Sequence, residues 1–238
     1  MSHFSFFCRK TLCSVLFALS ITGATWAAEP VYLTTSEGIQ RLEQADFNRP
    51  YFMLAPYVDV QENLGFCGPA SIAAVLNSLP DMPRPTSSGY GTYRYFTQRS
   101  LFNAETSQVK SFEDVSLSGL TLAQASSFLQ RLHVQNRIFY GADLSVASLR
   151  SIIKTSLEDS HERIIVDFSR RTLGQAGDGH YSPLVAYDSA SDSVLIIDVA
   201  KFKYPPFWVQ VDDLWASIQT MDPDSGHSRG LIIVSEPH

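Results

Sequence analysis

The pattern of hydrophobic and polar positions divides the chain into a helical first half and a strand-rich second half. In the first half apolar residues recur every three to four positions, which is the spacing of an amphipathic helix. Residues 70–79 are almost uniformly apolar and are followed by Pro80, so they predict a buried central helix. The same pattern predicts helices over three further segments, namely residues 36–47, 121–132 and 145–157.

Two local features refine these helices. Thr121 and Gln124 have the spacing of a capping box, in which each of two side chains satisfies a free backbone N–H group at the helix start. In the first helix Ile39, Leu42 and Phe47 are predicted to share the buried face. Both features favour structural roles for these segments.

The second half changes to the period of β-strands. Short runs of β-branched and aromatic residues alternate with turn residues over five segments: residues 163–168, 180–188, 193–199, 207–211 and 230–235. The polar run 188–192 predicts a turn that joins the second and third strands as an antiparallel hairpin, and residues 212–220 predict a short helix. The sequence therefore predicts an α+β fold, with helices in the N-terminal half and a mostly antiparallel sheet in the C-terminal half.

The N-terminus has the three parts of a secretory signal peptide. A short basic start precedes an apolar run over residues 12–24, and small residues precede a cleavage site after Ala27. No later stretch approaches the roughly 20 apolar residues that cross a bilayer, so no membrane span is predicted for the mature protein. We therefore expect a signal peptide, residues 1–27, and one exported domain, residues 28–238, located in the periplasm or secreted.

Removal of the signal peptide makes the chain more acidic and leaves a single thiol. The full chain has 18 basic and 24 acidic residues, and the loss of Arg9 and Lys10 leaves 16 basic residues and a net charge of −8. A domain this acidic, without a cluster of Lys and Arg, is a poor binder of nucleic acid. Cys8 and Cys13 are also removed, so Cys67 has no internal partner in an oxidising compartment. This favours either a nucleophile or an intermolecular link.

Cys67 lies where the central helix is predicted to begin. Gly68 and Pro69 mark the first turn. Because a helix N-terminus presents free N–H groups and a positive dipole end, we expect a lowered pKa for the Cys67 thiol. Gln61, upstream on the same loop, could donate a hydrogen bond to the oxygen that becomes negative when a thiolate attacks a carbonyl group, together with the backbone N–H of Cys67. The alternative is that Cys67 is a small buried hydrophobic residue.

A thiol nucleophile needs a base, and the base needs a group that fixes its tautomer. His180 opens a predicted strand directly after the glycine-rich loop 174–179, where a substrate can approach the backbone. Asp198 lies near the end of the next strand, and in a hairpin the start of one strand faces the end of the next, so Asp198 should lie beside His180. Taken singly, the alternatives are a surface histidine and a turn residue. The remaining histidines lie at a helix end, in a charged loop or in polar surroundings near the terminus: His133, His161, His227 and His238.

These residues resemble a known family as well as the order Gln, Cys, His, Asp of papain-like enzymes. Over residues 51–235 the chain is similar to the catalytic domain of phytochelatin synthase (glutathione γ-glutamylcysteinyltransferase), in its short prokaryotic form. The matching motifs are FCGPAS at 66–71, VLNSL at 75–79, GHYSPL at 179–184, DVAKFKYPPFWV at 198–209 and SRG at 228–230. The block 203–209 is specific, since papain-like chemistry in general does not require it.

The resemblance implies a papain-like fold and a role for each residue of the constellation. Cys67 would be the nucleophile, His180 the base, Asp198 the group that orients the base, and Gln61 the oxyanion donor. The thiolate would attack the cysteinyl-glycine bond of glutathione, release glycine and leave γ-glutamylcysteine on the sulfur. Water would then give γ-Glu-Cys, whereas a second glutathione would give a phytochelatin.

Two arginines are candidates for binding the anionic tripeptide. Arg170 follows a predicted strand ahead of the glycine loop, and Arg229 precedes the last predicted strand. Either guanidinium could hold a carboxylate bidentately. The alternative for both is a solvated charge at the end of a strand.

Metal dependence and location set this sequence apart from the plant enzymes. Plant members add a Cys-rich C-terminal region, whereas this sequence ends at His238 without a further cysteine, and no His/Cys cluster has metal-ligand spacing. We therefore expect no metal site and no required cofactor, with Cd²⁺ or Zn²⁺ acting through the thiolate of glutathione. Both the missing region and the exported location favour water as acceptor, so hydrolysis is expected to exceed phytochelatin synthesis.

Three hypotheses about function remain open at this point. The first is a glutathione-cleaving hydrolase and transferase, whose partners are glutathione and its metal complexes. The second is a papain-like peptidase of broader specificity, which needs an open groove instead of a small charged pocket. The third is a non-enzymatic thiol-binding protein, which leaves Gln61, His180 and Asp198 without a role. The sequence leaves the oligomeric state open, with a homodimer as one option.

Overall fold

The computed structural model describes residues 29–86 and 91–236, together with residues 1 and 3. Most of the predicted signal peptide therefore lies outside the described residues. In the part that is described, no helix is both long enough and apolar enough to cross a membrane.

Within this part of the chain the structure has seven helices and seven strands. The helices are α1 (Ser36–Gln44), α2 (Arg49–Leu54), α3 (Cys67–Ser78), α4 (Phe112–Ser118), α5 (Leu122–Arg131), α6 (Val146–Glu158) and α7 (Val211–Ile218). The strands are β1 (Val31–Tyr32), β2 (Gln135–Tyr140), β3 (Glu162–Ser169), β4 (Gly179–Asp188), β5 (Ser193–Ile196), β6 (Phe207–Gln210) and β7 (Gly230–Ser235). The predicted capping box of Thr121 and Gln124 is present at the start of α5.

The strands form one antiparallel sheet in the order β1-β6-β5-β4-β3-β7-β2. β4 and β5 form the predicted hairpin, with Asp188 opposite Ser193. On its other side β4 pairs with β3, which places His180 opposite Phe168. The predicted α+β fold with an antiparallel sheet is confirmed, and it is compatible with a papain-like fold.

The core has two hydrophobic clusters, and the alternation of side chains along the central strands assigns them to opposite faces of the sheet. Every residue of α3 is buried, and the helix lies in one cluster with Ile165 of β3. The other cluster contains Leu149 of α6 and Leu214 of α7, together with Ile164 of β3. Because Asp167 lies two residues after Ile165, it occupies the face of the sheet that carries α3.

One predicted helix differs from the structure in its end and in its buried face. The segment predicted over residues 36–47 ends as a helix at Gln44. Ile39 is 48% exposed, whereas Leu42 is buried, so the prediction of a buried Ile39 is wrong. The reason is the close approach of Gly38 to β1, where a Cβ atom on the glycine would lie 2.2 Å from the carbonyl oxygen of Tyr32. This contact turns the face with Gly38 inward and leaves Ile39 toward solvent.

Candidate active site

Cys67 is the first residue of α3, as predicted, and it is buried. The backbone N–H groups of Tyr181 and Gly68 favour the thiolate and lower the pKa of Cys67, but burial has the larger effect. Burial raises the pKa of the Cys67 thiol to about 11. The expectation of a lowered thiol pKa is therefore wrong for this structure, because the sequence argument considered the helix end and not the desolvation of the site.

His180 and Asp198 lie side by side, as the hairpin argument predicted. Nε2 of His180 is 2.8 Å from Oδ1 of Asp198. Because a carboxylate only accepts hydrogen bonds, Nε2 carries the proton and Nδ1 is left as the acceptor for a thiol. The imidazole also packs against the ring of Phe168 at nearly a right angle, with the ring centroids 5.6 Å apart. Burial lowers the pKa of His180, and the hydrogen bond to Asp198 opposes this effect.

The Asp198 carboxylate is fully buried and has several donors. It follows β5, which ends at Ile196 rather than at residue 199, and it accepts the backbone N–H of Ala200 at 2.8 Å. Nη2 of Arg170 lies 2.8 Å from Oδ1 and 2.7 Å from Oδ2. Burial raises the pKa of Asp198, but His180 and Arg170 together outweigh it, so the net pKa is lowered. The carboxylate therefore stays ionised and fixes the imidazole.

Arg170 lies beneath this pair. Its guanidinium is buried, contacts Asp198, and donates to Oε1 of Gln175 at 2.8 Å. It also stacks on the ring of Tyr204, with 5.1 Å between the guanidinium carbon and the ring centroid. These contacts support a role in holding Asp198, and the predicted contact of Arg170 with substrate stays a prediction.

Gln61 is held close to the same pair. Its backbone N–H donates to the carbonyl oxygen of Val199 at 3.0 Å, which fixes the loop beside Asp198. One hydrogen of its side-chain amide is donated to the carbonyl oxygen of Asn63 at 2.7 Å. The second amide hydrogen remains for an oxyanion, and this role of Gln61 stays a prediction.

A cavity of about 310 Å³ connects the thiol with the second predicted arginine. Cys67 and Arg229 both line it. The buried guanidinium of Arg229 donates from Nη1 to Oδ1 of Asp167 at 3.2 Å, and its Nη2 lies 3.6 Å from Oδ1 of Asp178. Gly179 leaves room for this guanidinium, because a Cβ atom there would lie 2.1 Å from Nη1 and would displace the end of the Arg229 side chain. Arg229 therefore lies in the same cavity as Cys67, where a guanidinium that binds a substrate carboxylate is expected.

A second cavity, of about 280 Å³, lies on the side of His180. Its lining includes Arg170, Phe202 and Lys203. Leu64, Asp178 and Gly179 line both cavities, so the two spaces meet at the start of β4.

Asp167 is a site residue that the sequence analysis missed. It lies in the apolar strand β3, and it lines the cavity that contains Cys67. The signal that singled out Asp198, a carboxylate inside an apolar run, was present here too and would have found it.

The fold also brings together three side chains that the spacing along the sequence did not connect. Asp81, His161 and Glu236 have potential metal-ligand atoms within 4.8 Å of one another. His161 Nδ1 lies 2.6 Å from Oε2 of Glu236, and the backbone N–H of Asp81 donates to Oε1 at 2.9 Å. None of the three lines either of the two cavities.

Comparison with known proteins points to one family. A family model described as phytochelatin synthase matches residues 10–231. The chain is 32% identical over 189 residues to glutathione gamma-glutamylcysteinyltransferase 2 of Arabidopsis thaliana, which covers 79% of this chain and 40% of that protein. It is 28% identical over 211 residues to glutathione gamma-glutamylcysteinyltransferase 1 of Lotus japonicus, and the match covers 87% of this chain and 41% of that protein. It is 29% identical over 188 residues to glutathione gamma-glutamylcysteinyltransferase of Schizosaccharomyces pombe, and the match covers 79% of this chain and 44% of that protein. The chain thus spans about two fifths of the length of the curated relatives it matches.

Proposed function

The chain belongs to the phytochelatin synthase family, and we propose that it is a thiol enzyme that cleaves glutathione at the cysteinyl-glycine bond. The observation that carries this proposal is the cavity shared by the thiol of Cys67 and the buried guanidinium of Arg229. A nucleophile and a buried cation in about 310 Å³ suit a small anionic substrate. His180, held by Asp198, supplies the base that the thiol needs.

The first step transfers the γ-glutamylcysteinyl group to the enzyme. Because burial favours the uncharged forms of Cys67 and His180, the thiol proton passes to Nδ1 of His180 as the sulfur attacks the carbonyl carbon. The backbone N–H of Cys67 and the amide of Gln61 stabilise the tetrahedral oxyanion. The carbon–nitrogen bond then breaks, the imidazolium gives its proton to the leaving nitrogen, and glycine is released.

The second step returns the enzyme to its starting state. His180 takes a proton from water as the water oxygen attacks the thioester. The carbon–sulfur bond breaks, the sulfur of Cys67 regains its proton, and γ-Glu-Cys leaves. When the α-amine of a second glutathione attacks instead of water, the product is a phytochelatin.

Arg229 and the acidic wall of the cavity match the two charges of the γ-glutamyl end of glutathione. That end carries an α-carboxylate and an α-ammonium group. Arg229 would bind the carboxylate, while Asp178 and Asp222, which line the same cavity, would face the ammonium group. A substrate without this zwitterionic end would not supply the carboxylate that Arg229 binds in this proposal.

Water is the main acceptor in this proposal. The cavity on the side of His180 offers a second glutathione the exposed side chains of Phe202 and Lys203, since the guanidinium of Arg170 is engaged by Asp198. An ion pair with an exposed lysine contributes at most about 1 kcal/mol. Transfer needs an acceptor held in near-attack geometry, so weak binding of the acceptor favours hydrolysis.

Cd²⁺ or Zn²⁺ enters the reaction only as the thiolate complex of glutathione. Cys67 is the free cysteine of the described residues, and the reaction uses it as the nucleophile. Metal would therefore change the form of the substrate, and no step above depends on a metal bound to protein.

The test is intact-protein mass spectrometry after a brief reaction with glutathione and an acid quench. We expect an adduct on Cys67 with the mass of γ-glutamylcysteine less one water, and no adduct in the Cys67→Ala protein. A mixed disulfide that carries whole glutathione would instead support non-enzymatic thiol binding. Cleavage of unrelated peptides without this adduct would support a general peptidase.

Product analysis with and without Cd²⁺ tests the preference for water. We expect γ-Glu-Cys to match the glycine released. If longer oligomers account for most of that glycine, the proposal of a main hydrolase is wrong and the enzyme is chiefly a transferase.

A further inference from the structure

Asp167 is a buried carboxylate that the proposed reaction does not use. It is 2% exposed and lines the cavity that contains Cys67. In the described part of the chain its side chain accepts one hydrogen bond of normal geometry, from Nη1 of Arg229 at 3.2 Å. The buried hydroxyl of Tyr181 faces the same carboxylate without the geometry of a full hydrogen bond. A buried carboxylate with so few donors is only weakly stabilised in its charged form.

The surroundings of Asp167 place its ionisation near neutral pH. Burial raises its pKa to about 7, the charge of Arg229 opposes this rise, and the nearby negative charge of Asp222 adds to it. The Tyr181 hydroxyl makes a smaller contribution that lowers the pKa. The carboxylate is therefore about half protonated near pH 7.

The pKa values of three other groups, the thiol of Cys67 among them, are shifted away from neutral pH. Burial raises the pKa of Cys67 to about 11, and it raises that of Tyr181 well above 10. Burial lowers the pKa of His180. Among these groups, Asp167 is the one whose pKa is shifted toward neutral pH.

We propose, on the basis of the function proposed above, that Asp167 takes up a proton when a carboxylate of glutathione binds to Arg229, and that the loss of this negative charge beside Cys67 eases ionisation of the nucleophile in the complex. Asp167 is then a positioning residue, since it acts through Arg229 and Cys67 and not on the substrate directly.

Arg229 already faces two carboxylates before substrate binds. Its Nη1 is engaged by Asp167, its Nη2 faces Asp178 at 3.6 Å, and its Nε has no hydrogen-bond partner among the described residues. A substrate carboxylate would be a further anion on one guanidinium. When two carboxylates contact one guanidinium, their repulsion raises the pKa of the one that ionises less readily, which is Asp167. Uptake of one proton from solvent leaves a neutral carboxyl group, one guanidinium and one substrate carboxylate.

The charge of Asp167 also affects the thiol. The negative charge of Asp167 contributes to the raised pKa of Cys67. Protonation of Asp167 removes that contribution. The thiol would therefore ionise more readily in the substrate complex than in the free enzyme.

The experiment is isothermal titration calorimetry of glutathione into the Cys67→Ala protein, which binds without turnover. Measurement at pH 7 in two buffers with different ionisation enthalpies counts the protons exchanged. We expect an uptake of up to about half a proton. We also expect the dissociation constant to rise by up to about tenfold from pH 6 to pH 8, the limit if only the protonated form binds.

Two further variants make the result specific. Adding Asp167→Asn should abolish both the proton uptake and the pH dependence, because the amide is neutral throughout. Adding Asp178→Asn, the matched change in an exposed carboxylate that faces the same guanidinium, should weaken binding through the loss of its contact with the ammonium group but should leave the proton uptake and the pH dependence in place. With the thiol restored, Asp167→Asn should also shift the pH profile of iodoacetamide alkylation at Cys67 to lower pH.

The outcomes separate this inference from the proposed function. Glutathione binding without proton uptake at pH 7, or uptake that persists after Asp167→Asn, would overturn the inference alone. Absence of any glutathione binding would contradict the proposed substrate and the inference with it. If Asp167→Asn does not fold, as judged by circular dichroism, the proton count on the Cys67→Ala protein still decides.

Discussion

Replacing Arg170 by Gln is expected to destabilise the fold by about 3 kcal/mol, at the lower end of the range of 3–5 kcal/mol for removing one partner of a buried ion pair. Arg170 is 3% exposed and Asp198 is fully buried, so water cannot take the place of the guanidinium. Oδ2 of Asp198 has no partner other than Nη2 of Arg170 among the described residues. The value stays at the lower end because His180 and the backbone N–H of Ala200 still donate to Oδ1.

The measurement is urea unfolding at pH 7, followed by far-ultraviolet circular dichroism. Arg171→Gln is the matched control, because that neighbouring guanidinium is 80% exposed and lies 3.6 Å from Asp178. An exposed pair of this kind contributes about 0–1 kcal/mol. If the two variants lose the same free energy of unfolding, the argument from the buried pair is wrong.

The dependence on pH gives a second signature. The folded-state pKa of Asp198 is lowered, so this residue contributes stability above its unfolded-state pKa of about 3.9 and loses it as the pH falls through the folded-state value. The difference between wild type and Arg170→Gln should therefore shrink as the pH falls below about 4, because the unfolded chain then takes up a proton that the folded carboxylate binds only at lower pH.

Kinetics of the same variant separate two roles for Arg170. If it holds Asp198, kcat for glutathione should fall while KM changes little, and conservative Arg170→Lys should restore part of kcat. A rise in KM at unchanged kcat would instead support the substrate contact predicted from the sequence. The positive charge of Arg170 also lowers the pKa of His180, so the acid limb of the kcat profile should move to higher pH in the Gln variant.

Four further predictions follow from the same site. Cys67→Ala should abolish glycine release with an unchanged circular dichroism spectrum, and residual turnover would contradict its role as nucleophile. Gln61→Ala should lower kcat by about 10²–10³, the usual effect of losing one oxyanion donor, with steady-state kinetics as the measurement. Gly179→Ala should raise KM for glutathione while the protein remains folded, because the new methyl group displaces the flexible end of Arg229. An unchanged KM in steady-state kinetics would contradict the binding of a substrate carboxylate by Arg229. Wild type should lose stability as the pH rises through 7, because the raised pKa of Asp167 means that its ionisation disfavours the folded state, whereas Asp167→Asn should not show this loss in urea unfolding at pH 5 and pH 8.

Local signals in the sequence were sufficient for much of this fold. The start of α3 at Cys67 and the capping box at Thr121 depend on residues within a few positions of one another, and both are confirmed. The hairpin of β4 and β5 was predictable because one turn connects the two strands. Its register then brought His180 and Asp198 within 2.8 Å, so the central contact of the site was also within reach of sequence analysis.

Two short helices, α2 and α4, were missed although their signals are local. The missed strands depend instead on distant parts of the chain. β1 has two residues and exists through its pairing with β6, and β2 exists through its six-residue pairing with β7. Neither has a clear period of its own. Sequence analysis could not place β7 between β3 and β2 either, because that position joins strands far apart along the chain. The cluster of Asp81, His161 and Glu236 was invisible for the same reason.

The two buried aspartates of the site show why ionisation was harder to predict than position. Each lies in or just after an apolar strand, so the sequence around them looks alike. In the structure each also contacts one arginine. Asp198 accepts hydrogen bonds from Nε2 of His180 and from the backbone N–H of Ala200, and it lies close to the guanidinium of Arg170. Its pKa is lowered. Asp167 receives one hydrogen bond at 3.2 Å, and its pKa is raised to about 7. The number of donors on each carboxylate, which only the folded chain decides, accounts for the opposite directions of the two pKa shifts. In the proposals above, Asp198 is therefore the anion that holds the base, and Asp167 is the group that exchanges a proton as substrate binds.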